Sequence, residues 1–414
     1  MVFKHRIGAY GVHLTGAALM SLASALIWTT MMVYQIQVVG LTPLQLVLLG
    51  TTMEVTIFLF EIPTGIVADV FSRRLSCIIG FFGMALAYLI QLIPTFEVLV
   101  LANVVWGIGY TFTSGAYDAW VVDELGQERA GLAFLRAGQV GRVTGIGGVI
   151  GAATLGSIDL RLPILLGGLI IFANALFLFL FMPEDGFAPT PRADRTTFGK
   201  LIDTFRDGAR VVRARPMLLR ILGVGFFFGL FSEAWDRLWQ AHLLLTFDLA
   251  NNGRLSPIAV IALLDIVMMG VLTVAAEIMR RHVNLNDGRQ VIRALIALTA
   301  GMVVGIIGYG LAPSLAAALV AFMVFNIGRG LIDPLLRTWS NANIDSDVRA
   351  TVLSMQSQTD AIGQAVGGAP LGALGNLSLR LAFVVSGASL SPALWLMRRA
   401  GRAERARVSE VEAV

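Results

Sequence analysis

Thr64-Gly65-Ile66-Val67-Ala68-Asp69-Val70-Phe71-Ser72-Arg73-Arg74 closes one long apolar run and precedes another. Gly65, Asp69 four residues on, and the adjacent Arg73 and Arg74 are therefore expected in a turn between two helices of membrane length. The same alternation continues outward in both directions. A spanning helix needs ~20 mostly apolar residues. The chain offers twelve such runs: 12–34, 44–67, 75–95, 98–121, 132–155, 162–182, 217–246, 257–278, 291–311, 314–338, 350–372 and 378–397. The break at Ala312-Pro313-Ser314 is short, so two of these runs are only narrowly separated. The runs are long and continuous, unlike the short alternating segments of a barrel, which predicts an all-α membrane protein.

Hydrophobic residues make up 56% of the chain and charged ones 14%. A soluble domain carries roughly 25% charged residues, so this composition excludes a large water-facing surface. The first run follows a basic start, Met1 to Arg6, and contains Ala23-Ser24-Ala25, both features of a cleaved leader. Its apolar stretch continues to Val33, longer than a leader's core, and a retained first helix is expected. A single cysteine, Cys77, excludes an intrachain disulfide. His5, His13, His242 and His282 are scattered, so neither a metal nor another cofactor is expected.

Lys and Arg in the connections set the orientation. With the N-terminus inside, 25 of the 31 lie in inside segments, counting Arg136, Arg220, Arg293 and Arg337 at the inner ends of runs; three (Arg161, Arg254, Arg380) lie outside and three (Arg142, Arg237, Arg329) deeper within runs. This asymmetry puts both termini in the cytoplasm of a cell (inner) membrane and requires an even number of spans. The net charge of +4 and pI near 9.6 then reflect attraction to anionic inner-leaflet lipid, with no nucleic acid partner.

The longest polar stretch, 183–216, divides the chain into six runs and six runs: an N-terminal half 1–182, a cytoplasmic linker 183–216, a C-terminal half 217–397 and a basic tail 398–414. Within the linker Phe198, Leu201, Ile202, Phe205, Ala209 and Val212 recur at helical spacing among Lys200, Arg206, Arg210 and Arg213. That pattern suits an amphipathic helix on the inner membrane surface, regulatory or merely connecting. Sliding the chain by 220 residues without gaps puts Arg129-Ala130 on Arg349-Ala350 and Gly147-Gly148 on Gly367-Gly368. The fifth and eleventh runs are thereby paired, as an internal repeat of two six-helix halves requires. Small residues there allow close helix approach in lipid.

The Thr64–Arg74 stretch resembles the loop-2/3 signature of the major facilitator superfamily, G-x-x-x-D-x-x-G-R-R/K, with Ser72 where that family usually has Gly. Gly145-Ile146-Gly147-Gly148-Val149-Ile150-Gly151 resembles the glycine-rich fifth-helix motif of exporters in that superfamily, without its following proline; Pro370 does occur in the eleventh run. Many proton-coupled exporters carry an Arg midway along the fourth helix. Asn103 precedes Trp106-Gly107-Ile108-Gly109 here, so their usual proton relay does not transfer. The resemblance implies a twelve-helix, alternating-access transporter. It also implies a cytoplasmic latch of Gly65, Asp69, Arg73 and Arg74 with one of Asp118 or Asp123.

Ionisable residues inside spans mark function, because burying charge in hydrocarbon is costly. Glu54 and Asp360 fall ~15 Å along their helices by residue count. Arg142 is near mid-depth and Asp265 nearer the outside. The superfamily fold implies that the second and eleventh helices face each other, as do the fifth and eighth. Glu54 with Asp360 would then couple protons, and Arg142 with Asp265 would neutralise one another. Spacing by four pairs Glu233 with Arg237 and Arg329 with Asp333, and leaves Asp236 as a further cavity charge. Gln356, Asp360 and Gln364 form one polar stripe. Trp28, Tyr34 and Gln35 are candidates for the cavity wall, whereas Trp235 and Trp239 suit an interfacial aromatic belt.

No G-x-x-x-x-G-K-[ST] loop is present, so ATP hydrolysis by this chain is not expected, nor any enzymatic activity. The expected function is export of a small, partly apolar organic compound by proton antiport, by a monomer whose partners are that solute, protons and the lipid bilayer. The alternatives are proton-coupled uptake of a nutrient or organic acid, with Arg142 binding the anion, and a membrane sensor that moves no solute.

Overall fold

The computed structural model describes residues 7–189, 210, 212, 213, 215–247, 256–344 and 349–412. The amphipathic pattern expected over Phe198–Ala209 lies outside the described residues. Thirteen helical segments occur among those described: α1 (Ala9–Gln37), α2 (Pro43–Val70), α3 (Arg73–Ile90), α4 (Phe96–Thr113), α5 (Ala116–Leu125), α6 (Gln127–Gly156), α7 (Arg161–Phe181), α8 (Pro216–Thr246), α9 (Pro257–His282), α10 (Gly288–Leu311), α11 (Leu315–Asn343), α12 (Arg349–Leu377) and α13 (Leu379–Glu412). The fourth expected run is split. Gly115, at φ 71°, turns the chain between α4 and α5, a conformation that favours glycine. Together these two segments form one span, which gives twelve spans.

Local chemistry sets the breaks. Thr42 and Gln45 form a reciprocal capping box, with Pro43 in the first turn of α2. Ser314 caps α11 through Ala317 N, and the narrow Ala312–Ser314 break separates two helices as expected. The turn expected over Thr64–Arg74 is far shorter than the sequence suggests. Residues 64–70 continue α2, and only Phe71 and Ser72 interrupt the helices. The reason is Ser72, whose hydroxyl accepts from Leu75 N at 2.9 Å and starts α3 at once.

Among the described residues, ten helices are long and apolar enough to cross a membrane. The two spans that fall short are α6 and α12, the fifth and the eleventh. A polar span is tolerated where it turns toward protein or water instead of lipid. Both are glycine-rich, and each packs against the first span of its own half.

The chain divides into two compact units: Met1–Gln45, Thr52–Thr196 and Leu249–Ile266 form one; Leu46–Thr51, Thr197–Asp248 and Val267–Val414 form the other. In the first unit α1 packs on α6 and α7, and α3 on α4 and α7. In the second α8 packs on α12 and α13, and α10 on α11 and α13. Each pairing recurs six spans later, so the repeat seen in the sequence is also a repeat of packing. Two short pieces cluster with the opposite set of helices: Leu46–Thr51 of α2 with the second unit, and the start of α9 with the first.

The first unit's core is built from Val12, Ala23, Ile27, Tyr34, Cys77, Phe81, Ala85, Trp120 and Ile171. The second contains an aromatic cluster in which Trp235 contacts Tyr309, Phe322, Phe325 and Phe383. Trp235 is 3% exposed, which corrects its expected place in an interfacial belt: aromatic neighbours from α10, α11 and α13 enclose it. Trp239, half-buried, lies against Phe322 at 4.9 Å.

Candidate functional site

The residues between α2 and α3 build a charge cluster on the first unit. Arg73 Nη1 donates to Asp123 Oδ2 on α5, and Asp69 lies 3.9 Å from the same guanidinium. Asp118, the other candidate partner, is exposed and forms no ion pair among the described residues. Gly65 lies inside α2 with open space where a Cβ would stand. Arg74 Nη2 donates to Phe179 O at 2.6 Å, at the end of α7.

A further acid joins this cluster that sequence reasoning passed over. Glu184 accepts from Arg74 N at 2.9 Å and from the Ser72 hydroxyl at 2.8–2.9 Å. The residue that departs from the family signature is thus the one that ties the chain after α7 to the α2–α3 turn. Trp120 Nε1 donates to Pro183 O at 2.7 Å, Gly186 N donates to Glu124 Oε1 at 2.7 Å, and Arg73 lies over the Phe187 ring at 5.9 Å. The available signal was Pro183-Glu184-Asp185-Gly186, an acid directly after a span.

Within the same unit, Trp28 on α1 is 45% exposed and meets Trp106 edge-on at 6.4 Å. Trp106 stacks on Tyr110 at 5.2 Å and donates Nε1–H to Tyr88 Oη at 2.9 Å. Glu54 on α2 and Gln35 on α1 are half-buried. Close approach of α2 and α4 is possible because Gly107 has no side chain: a Cβ there would meet Thr56 at 3.0 Å. Tyr34 does not line a cavity. It is fully buried and its hydroxyl donates to Gln91 O at 2.8 Å, fixing α1 to the end of α3. Asp265 accepts from Thr29 Oγ1 at 3.1 Å. The expected Arg142–Asp265 pair does not form: Arg142 stands exposed without an ion pair among the described residues.

In the second unit, α8, α11 and α12 enclose a cavity of about 210 Å³ lined by Asp236, Arg329, Asp333, Asp360 and Gln364, with Phe228 and Phe231. A neighbouring cavity of about 540 Å³ shares Asp333 and Asp360 and adds Gln356 and Arg337. Asp360 accepts from Gln364 Nε2 at 2.7 Å. Arg329 Nη2 donates to Asp236 Oδ2 at 2.8 Å. This corrects two expectations at once: Arg329 pairs across helices instead of with Asp333, and Asp236 is not left alone. Asp333 is the cavity carboxylate with no ion pair among the described residues instead. Glu233 and Arg237 do approach one another, at 3.6 Å.

A six-plus-six helical repeat, a basic clasp after the second span and polar spans at positions five and eleven define a recognisable architecture. The family model of the Major Facilitator Superfamily matches residues 14–368. The chain belongs to that superfamily. The superfamily member YxaM of Bacillus subtilis (strain 168), an uncharacterised MFS-type transporter, is 25% identical over 206 residues, 48% of this chain and 50% of that protein. The match thus spans about half the length of that relative. Among solved structures, a mutant of the nucleoside transporter NupG aligns with a TM-score of 0.76, 12% identity, and coverage of 95% of this chain and 100% of that one. A bacterial homologue of the human lysosomal transporter Spinster aligns with a TM-score of 0.70, 17% identity, and coverage of 95% and 97%. A peptide-bound POT family transporter aligns with a TM-score of 0.67, 14% identity, and coverage of 94% of each chain. At these identities the likeness is one of fold alone. As a superfamily member the chain is a multi-pass membrane protein, and the family and its homologues are transporters, not enzymes.

Proposed function

We propose that this transporter exports a small, partly apolar organic compound by proton antiport, as a monomer in the inner cell membrane with both termini in the cytoplasm. The observation that carries the reading is the cavity of the second unit. Three carboxylates, Asp236, Asp333 and Asp360, share it with one paired guanidinium, Arg329. Carboxylates in excess over cations inside a span are groups on which a proton can be taken up and released. The Trp28–Trp106–Tyr110 wall of the first unit, with Trp28 and Tyr110 exposed, suits the apolar part of a solute. Asp360 on α12 and Glu54 on α2 are the proposed coupling residues, with Gln356, Gln364 and Gln35 as polar lining.

Reconstituted liposomes test this. With an imposed pH gradient, Asp360→Asn is expected to abolish gradient-driven solute movement while solute-for-solute exchange continues. Full proton-driven transport by both Asp360→Asn and Glu54→Gln would reject the assignment. The substrate comes from a thermal-shift screen of drugs, sugars and organic acids, because a ligand stabilises the state it binds. One observation favours a second reading, proton-coupled uptake of an organic acid: Arg142 is an exposed cation on α6 with no ion pair among the described residues. Stabilisation by organic acids that disappears in Arg142→Gln selects uptake over export of a neutral or basic compound.

A further inference from the structure

The repeat makes the two units comparable, and the places where their third and sixth spans meet are lined differently among the described residues. In the first unit the start of α3 and the end of α7 meet, and Glu184, just after α7, neutralises the place. It accepts from Ser72 and from Arg74 N. The corresponding place in the second unit is where the start of α10 meets α13. Here Arg289 and Arg293 on one face of α10 and Arg398 and Arg402 on one face of α13 line a cavity of about 150 Å³, floored by Ile292 and Ile296.

None of these four arginines forms an ion pair among the described residues. Asp287 interacts electrostatically with Arg289. Its carboxylate caps α10, accepting from Arg289 N at 2.9 Å, Gln290 N at 3.4 Å and Gln290 Nε2 at 3.0 Å. Desolvation pushes that carboxyl up, but these bonds outweigh it and hold the group below its ordinary range. Gly401 lets the helices approach, since a Cβ there would meet Ile292 at 3.2 Å. Trp395, one turn before Arg398, is 52% exposed and carries the Arg399 guanidinium over its ring at 3.9 Å. An exposed tryptophan beside arginines marks the level of the lipid headgroups. Guanidiniums crowded beside the N-terminus of α10 repel one another and attract an anion.

We infer that the cavity between the start of α10 and α13 binds the headgroup of an anionic phospholipid. The phosphate lies among the four guanidiniums. The isoleucine floor accepts the glycerol and upper acyl carbons, which a free phosphate lacks. Basic pockets between spans hold anionic headgroups in this way. The lipid belongs to the cytoplasmic leaflet in the orientation proposed above, but binding itself depends neither on that orientation nor on the direction of transport.

The test uses the full-length purified chain in nanodiscs of phosphatidylcholine, with and without phosphatidylglycerol or cardiolipin, and reads the unfolding temperature and lipid retention by native mass spectrometry. The anionic lipid is expected to raise the unfolding temperature. In Arg293→Gln/Arg402→Gln that rise should largely vanish, with binding about thirtyfold weaker, the loss two near-surface arginines carry. Arg289→Gln/Arg398→Gln should do the same and serves if the first pair fails to fold. Arg280→Gln/Arg281→Gln removes two arginines already paired with Glu277 and should keep the full rise. An equal loss in that control would overturn the site in favour of diffuse surface charge. An equal rise with inorganic phosphate in neutral nanodiscs would overturn a lipid in favour of a free anion.

Discussion

At the scale of single residues, the charge cluster after α2 turns on which acid Arg73 meets. The resemblance to the superfamily signature implies Asp118 or Asp123 as the partner of Arg73, both being acids near the end of the fourth run. Only the bend at Gly115 decides how α5 presents them. Arg73 pairs with Asp123, and the two side chains are 19% and 26% exposed. Breaking such a half-buried pair should cost on the order of 1–3 kcal/mol, between a surface pair and a fully buried one. If the pair acts as a latch, Arg73→Ala or Asp69→Asn loosens that face. Cysteines introduced near residue 73 should then label faster than in the parent, and unchanged labelling would count against a latch. Exchanging the charges, with Arg73→Asp and Asp123→Arg, should restore transport, whereas Arg73→Asp with Asp118→Arg should not. The Arg329–Asp333 expectation failed for a general reason. Spacing by four brings two side chains within reach on one helix, but an acid on a neighbouring helix, Asp236, competes and is invisible in local spacing.

At the scale of helices, apolar runs located the spans because lipid demands long segments with satisfied backbones. They could not locate ends that depend on one hydroxyl, as at Ser72, or on one positive φ, as at Gly115. The gapless slide by 220 residues found the right pair of spans but not the packing register. Gly148 is the residue pressed against α1, where a Cβ would lie 2.6 Å from Leu22 O, while its neighbour Gly147 would meet only Leu22 Cδ1 at 3.9 Å. In the second unit it is Gly367 that presses on Leu230 O of α8, whereas Gly368 faces Thr51. Backbone-to-backbone contact leaves no room to adjust. Gly148→Ala and Gly367→Ala are therefore expected to destabilise by about 1–3 kcal/mol, the usual cost of overpacking. Gly147→Ala should be tolerated. Thermal unfolding of the purified variants in detergent distinguishes adjacent Gly147 and Gly148 directly, and equal costs at the two would show that glycine content, not close approach, governs this face.

At the scale of the molecule, the halves read from the sequence and the units of the structure are not the same objects. The linker divides six spans from six, and the unit boundary between Thr196 and Thr197 falls inside it. Yet Leu46–Thr51 belongs to the second unit and Leu249–Ile266 to the first. Nothing in a hydropathy pattern reports this, because a span looks the same whichever neighbours its ends choose. Leu46, Val47 and Leu49 are 2%, 0% and 2% exposed, and Gly368 is pressed against Thr51 and Val47. A chain ending at residue 196 would strip these side chains of the helices that cover them. A chain starting at residue 197 would lose the residues that cover Gly368. Each half still contains its own four-way packing of spans, so each should insert and fold in part. The two halves expressed separately are expected to be degraded faster than the intact protein, and their co-expression should restore both abundance and transport. Protease sensitivity in isolated membranes, measured for each half alone and together, provides the readout. Halves as resistant alone as together would mean that the exchanged ends of α2 and α9 contribute no stability, and that the units are independent after all.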